Sequence, residues 1–450
     1  MSNAAPAPDG DSPLSAEQIA WRWKILISTF FGYAGFYLCR KVFGLVKKPI
    51  SGEFNWEMDS IAYIWAVFLI TYALGQFING FVGRKWGPRT LLLGGLGISI
   101  LCGLVFAYTS SYYAFMFFMA INGLVQAGGW PGSVGAVAHW IRPNERGRIM
   151  GAWSTSYIFG NLGVKALGSF LLGVSLMSMS NWRVAFLGCT VAAMAVWVLL
   201  YFWQRDKPED VGLPGFVNPD ADEEGRAIQI AVTEHVTLKD YLHLASNPVI
   251  ISMGLGYFFI KFLRYALDSW LPTFLAFQGV EESTAGYLSM GFDIGGIIPS
   301  VFIGIMLDRY FRGDWAKLCF LSGIGLVIGY ICVLQFEDNP VLVATCFALV
   351  GFMLYGPDTL LCGASSVAVA GERNAVAVAG LVNGIGSIGP IVQELVIGKI
   401  MKNYDNKLDG IHFTNKLAFI MSIMFAIMML VTMWRVHKAH QNNAAAAAKR

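Results

Sequence analysis

Charge is scarce in this sequence. Asp, Glu, Lys and Arg make up 14% of the 450 residues, where a soluble globular domain carries about 25%. A water-solvated surface of ordinary size is excluded, and with it a soluble multidomain enzyme or a disordered chain. Net charge is equally slight, 32 basic residues against 29 acidic, so no nucleic-acid partner is expected. The seven cysteines (Cys39, Cys102, Cys189, Cys319, Cys332, Cys346, Cys362) show neither CxxC spacing nor a paired layout. They read as small buried hydrophobes rather than a disulfide framework. Six scattered histidines form no ligand pattern, so no metal and no cofactor is expected. Residues 1–20 lack a basic segment ahead of an apolar run and do not read as a signal peptide.

What the chain has in excess is apolar surface. Hydrophobic residues are 56% of the total and mean hydropathy is +0.55. At about 20 apolar residues per membrane-spanning helix, that suffices for about a dozen spans. Hydropathy and helix breakers predict helices near 23–46, 60–82, 90–107, 113–140, 149–173, 183–204, 247–275, 284–306, 316–335, 341–368, 374–401 and 413–436. The fold class is therefore an all-α membrane protein of twelve transmembrane helices. The expected organisation is a disordered tail (1–21), a six-helix bundle (22–204), a charged, turn-rich cytoplasmic linker (205–245), a second six-helix bundle (246–437) and a tail (438–450). A monomer is expected.

Orientation follows from where the cations fall. Arg84, Lys85 and Arg89 follow helix 2; Arg142, Arg146 and Arg148 follow helix 4; Arg309, Arg312 and Lys317 follow helix 8. The connections after helices 3, 5, 7 and 9 contain no Lys or Arg. Cytoplasmic loops hold the excess of Lys and Arg, so both termini are expected in the cytoplasm.

The halves repeat each other. Gly32, Tyr33 and Arg40 fall on Gly256, Tyr257 and Arg264 at an offset of 224, and Gly80 falls on Gly304. Trp130-Pro131 meets Gly356-Pro357, and Phe159–Gly163 meets Ile385–Gly389, at an offset of 226. Two pseudo-symmetric parallel six-helix bundles resemble the architecture of major facilitator transporters, in which the substrate site lies near the membrane midplane.

Ionised side chains inside spans cost at least about 2.5–3.5 kcal/mol each and mark function by default. Arg40 lies about 18 residues into helix 1, roughly 27 Å along it; Arg264 and Lys165 are at similar depth in helices 7 and 5. Tyr33, Tyr37 and Arg40 share one stripe; Tyr257, Lys261, Arg264 and Asp268 share the matching one; Tyr157, Asn161 and Lys165 form a third. Arginine presents a planar fork to phosphate oxygens. Arg40 and Arg264, one per half, are thus expected to clamp a dianion, with Lys165 as a third cation and the tyrosines as hydroxyl donors. Alternatively, Arg264 pairs with Asp268 at i+4, and Arg40 and Lys165 pair with acids elsewhere. Asp268, Asp293, Asp358 and Glu394 are candidates for gating or coupling, as salt bridges, proton carriers or acceptors of substrate hydroxyls. Gln76 is a candidate ligand or an interhelical hydrogen bond. Glycines at 123, 128, 129, 132 and 135, and at 380, 384, 386 and 389, read as helix-packing positions. GIGSIG (384–389) follows no strand and is not a nucleotide loop.

FFGYAGFYLCRK (30–41) resembles the first helix of the organophosphate:inorganic phosphate antiporters of the major facilitator superfamily. GGWPG (128–132), NERGRIMGAW (144–153), RDKPEDVGLP (205–214), LRYALDSWLPTFL (263–275), DRYFRG (308–313) and LYGP (354–357) extend the resemblance over residues 22–436. It implies that Arg40 and Arg264 bind phosphate, and that a sugar phosphate, phosphoglycerate or glycerol phosphate is exchanged for inorganic phosphate at the cell inner membrane. Departures from the glycerol-phosphate members are Gln76 for a lysine, Tyr157 for a histidine, and an added Lys165, so the substrate need not be glycerol 3-phosphate. The first-half loop carries Arg84–Lys85 where the superfamily has Asp–Arg, which the second half keeps as Asp308–Arg309. The rival expectations are a transport-fold sensor of a sugar phosphate that signals to a partner protein, a proton-coupled organic-anion symporter using Asp293 or Glu394, and, weakest, a membrane enzyme, for which no nucleophile–base pair is present.

Overall fold

The computed structural model describes residues 14–142, 145, 149–150, 152–153, 155–176, 179–215, 244–362 and 364–447. Arg146 and Arg148, and most of the expected linker (216–243), lie outside the described residues, as do residues 1–13 and 448–450. The described chain folds into thirteen α-helices. The first half holds α1 (Ala16–Arg40), α2 (Val42–Phe54), α3 (Met58–Tyr108), α4 (Tyr112–Gln126), α5 (Gly129–Ala138), α6 (Ser156–Leu172) and α7 (Asn181–Trp203). The second holds α8 (Pro248–Phe277), α9 (Glu282–Arg309), α10 (Trp315–Phe336), α11 (Pro340–Cys362), α12 (Ala364–Asn403) and α13 (Lys407–Ala447).

These helices account for the twelve expected spans, with local differences. The first span is α1 plus α2, divided at Lys41, and it runs on to Phe54 rather than ending at 46. The fourth is α4 plus α5, divided at Ala127–Gly128. The second and third form the continuous α3, which turns at Gly87 with φ +79. Only glycine adopts that backbone at little cost. Eight helical stretches are long and apolar enough to cross a membrane on those grounds alone. Interrupted spans 1 and 4, the 17-residue α6 and α9 are not among them.

Both tails differ from expectation where they are described. Ser15 caps α1 in a reciprocal capping box with Gln18, so helix begins at Ala16 and not after residue 21; the box satisfies two otherwise orphaned backbone donors. At the other end α13 continues to Ala447, because an alanine run extends a helix at no side-chain entropy cost.

The chain separates into two compact units, residues 1–56 with 63–230, and residues 57–62 with 231–450. The first unit is tied at the ends of its spans. Arg22 donates to Glu145 at 2.8 Å. The turn at Gly87 is held by Asp206, which accepts the Arg89 backbone N–H at 2.6 Å, while the Arg89 guanidinium reaches the Tyr201 carbonyl at 3.0 Å. The motifs around 84–89 and 205–210 thus meet. Glu53, near the end of α2, accepts from Ser180, from the Trp182 indole and from Arg183.

The internal repeat is visible in packing. Gly160 of α6 lies against Ala34 and Tyr37 of α1, and its counterpart Gly386 of α12 lies against Tyr257 of α8. Gly389 sits on the Phe258 carbonyl. Gly380 and Gly384 have nothing within 4 Å of an added Cβ, so they are not packing positions. Gly389→Ala should therefore lower the melting temperature of the purified protein by the equivalent of about 1–3 kcal/mol, since backbone cannot yield to a new methyl. Gly380→Ala should be neutral or slightly stabilising, by up to about 1 kcal/mol. Equal melting temperatures would contradict the packing.

Candidate functional site

In the first unit, the end of α1 delivers Arg40 into an aromatic nest. Arg40 is 6% exposed; its guanidinium lies 4.0 Å from the Tyr37 ring and 5.7 Å from the Tyr72 ring and hydrogen-bonds the Tyr33 hydroxyl. Tyr33 packs edge-on against Tyr37 and Trp130 at 5.6 and 5.2 Å. Tyr157 from α6 packs against the same cluster, and Trp153 ties it down by donating to Thr29 at 3.0 Å. The expected Tyr33–Tyr37–Arg40 stripe is thus one physical group, extended by Tyr72 from α3.

Asn161 and Lys165, also on α6, are buried. Gly160 packs at Ala34–Tyr37 and Gly168 at Leu45, which sets Lys165 at about the level of Arg40 and Val42. Gln76 is exposed on α3, and the interhelical hydrogen bond there belongs to Asn79, which donates to the Leu124 carbonyl at 2.6 Å.

One buried cation was not singled out from sequence. Lys47 of α2 is 0% exposed. It stands seven residues beyond Arg40, two helical turns along the same face, and that spacing was the available signal. Neither 60–144 nor 146–205 contains an acidic residue. The acids on α1 to α3, Glu17, Glu53 and Asp59, stand at helix ends, and Arg40, Lys47 and Lys165 are buried.

The second unit is arranged differently. Lys261, 8% exposed, donates to Asn383 at 2.7 Å and Ser387 at 3.1 Å and lies 4.8 Å from the Tyr257 ring. Its partners are neutral. Arg264 donates to Asp358 of α11 at 2.6 Å and lies 4.9 Å from the Tyr355 ring. The Tyr355 hydroxyl donates to Asp293 of α9 at 3.0 Å. Asp293, Tyr355, Arg264 and Asp358 thus form one network over α8, α9 and α11. Local spacing pointed to Asp268 as the alternative partner of Arg264; the carboxylate in hydrogen-bond contact is Asp358, 94 residues along the chain. Asp268 is half-buried on α8. Glu394 is fully buried and forms a separate group, accepting from Ser269 at 3.1 Å and the Trp270 indole at 2.9 Å.

The symmetric pair of arginines expected from the repeat is therefore not symmetric in its surroundings. Arg40 sits among hydroxyls and π faces, Arg264 on a carboxylate. Tyr355, Asn383 and Ser387 were missed as site residues. Tyr355 lies one turn before Asp358 in the LYGPD stretch, and Asn383 and Ser387 sit at i, i+4 within the glycine-rich stretch first read only for packing. Among the described residues, no group of three or more His, Cys, Asp or Glu could hold a metal.

With this geometry in hand, residues 29–393 match the family model described as Major Facilitator Superfamily, and the chain belongs to that superfamily. The glycerol-3-phosphate transporter of Bacillus subtilis is 28% identical over 389 residues, which cover 84% of this chain and 86% of that protein. The membrane sensor protein UhpC of Salmonella typhimurium is 27% identical, covering 85% and 86%. Sugar phosphate exchanger 3 of Mus musculus is 28% identical, covering 84% and 87%. Among solved structures, a bacterial homolog to the human lysosomal transporter Spinster superposes with a TM-score of 0.78 at 15% identity, over 93% of this chain and 98% of that one. The resemblance to organophosphate carriers noted in the sequence is borne out by these relatives, and the twelve-helix fold by the structural likeness.

The Arg264–Asp358 pair has a measurable signature. Its side chains are 20% and 9% exposed, and removing one partner of a buried pair costs about 3–5 kcal/mol, because the other charge is stranded. Arg264→Ala alone should therefore destabilise the protein more than Arg264→Ala combined with Asp358→Ala. Thermal unfolding of the three variants in detergent checks this; strictly additive losses would show that the two residues are not coupled.

Proposed function

We propose that this protein is a secondary active transporter that exchanges a phosphorylated small organic molecule for inorganic phosphate by alternating access. It resides in the cell inner membrane with both termini in the cytoplasm. The observation that carries this reading is the burial of Arg40, Lys47 and Lys165, with tyrosines beside Arg40 and no acidic residue in 18–52, 60–144 or 146–205. Such a unit is complementary to a multiply charged anion. The printed names of the relatives, a glycerol-3-phosphate transporter and a sugar phosphate exchanger, support organophosphates as the class.

In this proposal the guanidinium groups of Arg40 and Arg264 present N–H donors to the anion's oxygens. Tyr33, Tyr37 and Tyr257 donate hydroxyls, and Lys165 and Lys261 add charge. Cations left uncompensated in low dielectric are costly, so the filled carrier reorients more readily than the empty one, which favours exchange over uniport. No ATP-binding motif is present in the sequence, and substrate gradients supply the drive.

Proteoliposomes loaded with phosphate and challenged with sugar phosphates, phosphoglycerates and glycerol 3-phosphate test the reading. Counterflow is expected, undiminished by a protonophore. Binding without counterflow would favour the sensor reading, to which one relative's name corresponds, and collapse of exchange with protonophore would favour proton symport. Arg40→Lys should reduce phosphate exchange by at least about 100-fold, since a point charge cannot replace a bidentate fork; near-normal rates would remove Arg40 from the site. Lys165→Ala should shift the order of preferred substrates, and an unchanged profile would assign Lys165 a structural role.

A further inference from the structure

Three cations gather at the corner of the first unit where α1, α3 and α7 meet. Asp206 accepts the Arg89 backbone N–H at 2.6 Å, which sets Arg89 beside Arg205, the residue before Asp206. Lys24 and Arg205 stand 4.4 and 5.6 Å from the same Trp21 ring, and Arg89 lies 6.0 Å from the Tyr201 ring. Burial, and next the like charge of Arg89, hold the Arg205 pKa below its ordinary value, with Asp210 and Tyr201 opposing in part. The carboxylates of this corner are spent on backbone: Asp206 on Arg89, Asp210 on the N–H groups of Asp206 and Lys207. Among the described residues, none of the three cations is in an ion pair.

The two guanidinium groups reach only backbone carbonyls as hydrogen-bond acceptors, Arg89 that of Tyr201 at 3.0 Å and Arg205 that of Gln204 at 2.6 Å. Each fork has five N–H donors, so both keep donors that no described residue takes, and both side chains are partly exposed. An apolar face leads away from them along α7. Val191, Met194, Val198 and Tyr201 are exposed at spacings of three and four, and Phe202 is exposed beside them. This helix is long and apolar enough to cross a membrane, so that face meets acyl chains. Tyr201 and the exposed Trp86 stand where it ends, as aromatic side chains do at a membrane interface.

We infer that Arg89 and Arg205, aided by Lys24, bind the phosphate headgroup of an anionic phospholipid whose acyl chains lie along α7. Arginine forks take phosphate oxygens bidentately. Free inorganic phosphate shares that chemistry, but the adjoining apolar face calls for an occupant with a charged head and an apolar tail. The site lies within one unit and uses none of the buried cations Arg40, Lys47 and Lys165, so it stands whatever anion the protein carries.

Native mass spectrometry of the full chain in detergent, offered equal amounts of phosphatidylglycerol and phosphatidylcholine with the same acyl chains, tests the inference. A basic side chain at an anionic lipid surface is worth about fivefold in binding, so the wild-type protein should retain phosphatidylglycerol over phosphatidylcholine by at least about tenfold. Arg89→Gln combined with Arg205→Gln should bring that ratio close to one. Arg205→Gln alone should lower it about fivefold, and it keeps the test decisive if loss of Arg89, which also holds the Tyr201 carbonyl, unfolds the protein. Lys438→Gln, which removes an exposed cation 5.0 Å from the Trp434 ring, should leave the ratio as in the wild type. A wild-type ratio in the double variant, or in Arg205→Gln where the double variant does not fold, would overturn the inference. So would an equal fall in Lys438→Gln, which would show surface charge acting without a site. Displacement of the bound phosphatidylglycerol by millimolar inorganic phosphate at constant ionic strength would assign the arginine pair to free phosphate and overturn the lipid as its occupant.

Discussion

An ionised side chain in a bilayer-spanning helix must be compensated by a partner, by water or by a ligand. That constraint governs how each unit of this protein is built, and the two units meet it differently. In the first, Arg40, Lys47 and Lys165 are buried, and the stretches 18–52, 60–144 and 146–205 hold no acid. Their immediate surroundings include hydroxyls and the faces of Tyr37 and Tyr72, which soften a positive charge without neutralising it. In the second, Arg264 rests on Asp358, and Lys261 is held by two neutral side chains of α12. The second unit also buries carboxylates of its own, Asp293, Asp358 and Glu394.

This difference arises on a repeated scaffold. Gly160 against α1 and Gly386 against α8 are the same helix-to-helix approach made twice, and Arg40 and Arg264 occupy equivalent positions on the helices so packed. Their neighbours diverge: the tyrosine cluster stands around one, while α11 supplies Tyr355 and Asp358 to the other. Equivalent backbone positions with unlike surroundings let two guanidinium groups do unlike work. One stands among hydroxyls and aromatic faces; the direction of the other is fixed by a carboxylate.

Much of the architecture was legible in the sequence because membrane helices announce themselves by length and apolarity, and because an intramembrane arginine repeated at constant offset is conspicuous. The interruption at Lys41 was not legible, and at both breaks the dividing residues Lys41, Ala127 and Gly128 keep right-handed helical dihedrals; for the second, Pro131, which cannot donate to the carbonyl of Ala127, was the available signal. The stripe Tyr33–Tyr37–Arg40 was readable because i, i+4, i+7 is a local rule. The partner of Arg264 was not, because local spacing offered Asp268 whereas tertiary packing offers Asp358 from a helix 94 residues away. Lys47 was overlooked although the same i+7 rule leads to it from Arg40. Gln76 was singled out because it stands where the resembling carriers have a lysine, and the neighbouring Asn79 makes the interhelical bond.

The acids of the second unit need not all act alike, and their environments already divide them. Glu394 accepts from a serine and an indole, neutral donors that hold a carboxylate in place without cancelling its charge. Asp293 has its Oδ1 taken by Tyr355, so it orients the ring over which Arg264 lies. Asp358 accepts from Arg264 on one oxygen, and its other oxygen is buried with no hydrogen-bond partner among the described residues. An acceptor left unsatisfied in low dielectric is costly, and that cost is carried by the same residue that fixes the direction of Arg264.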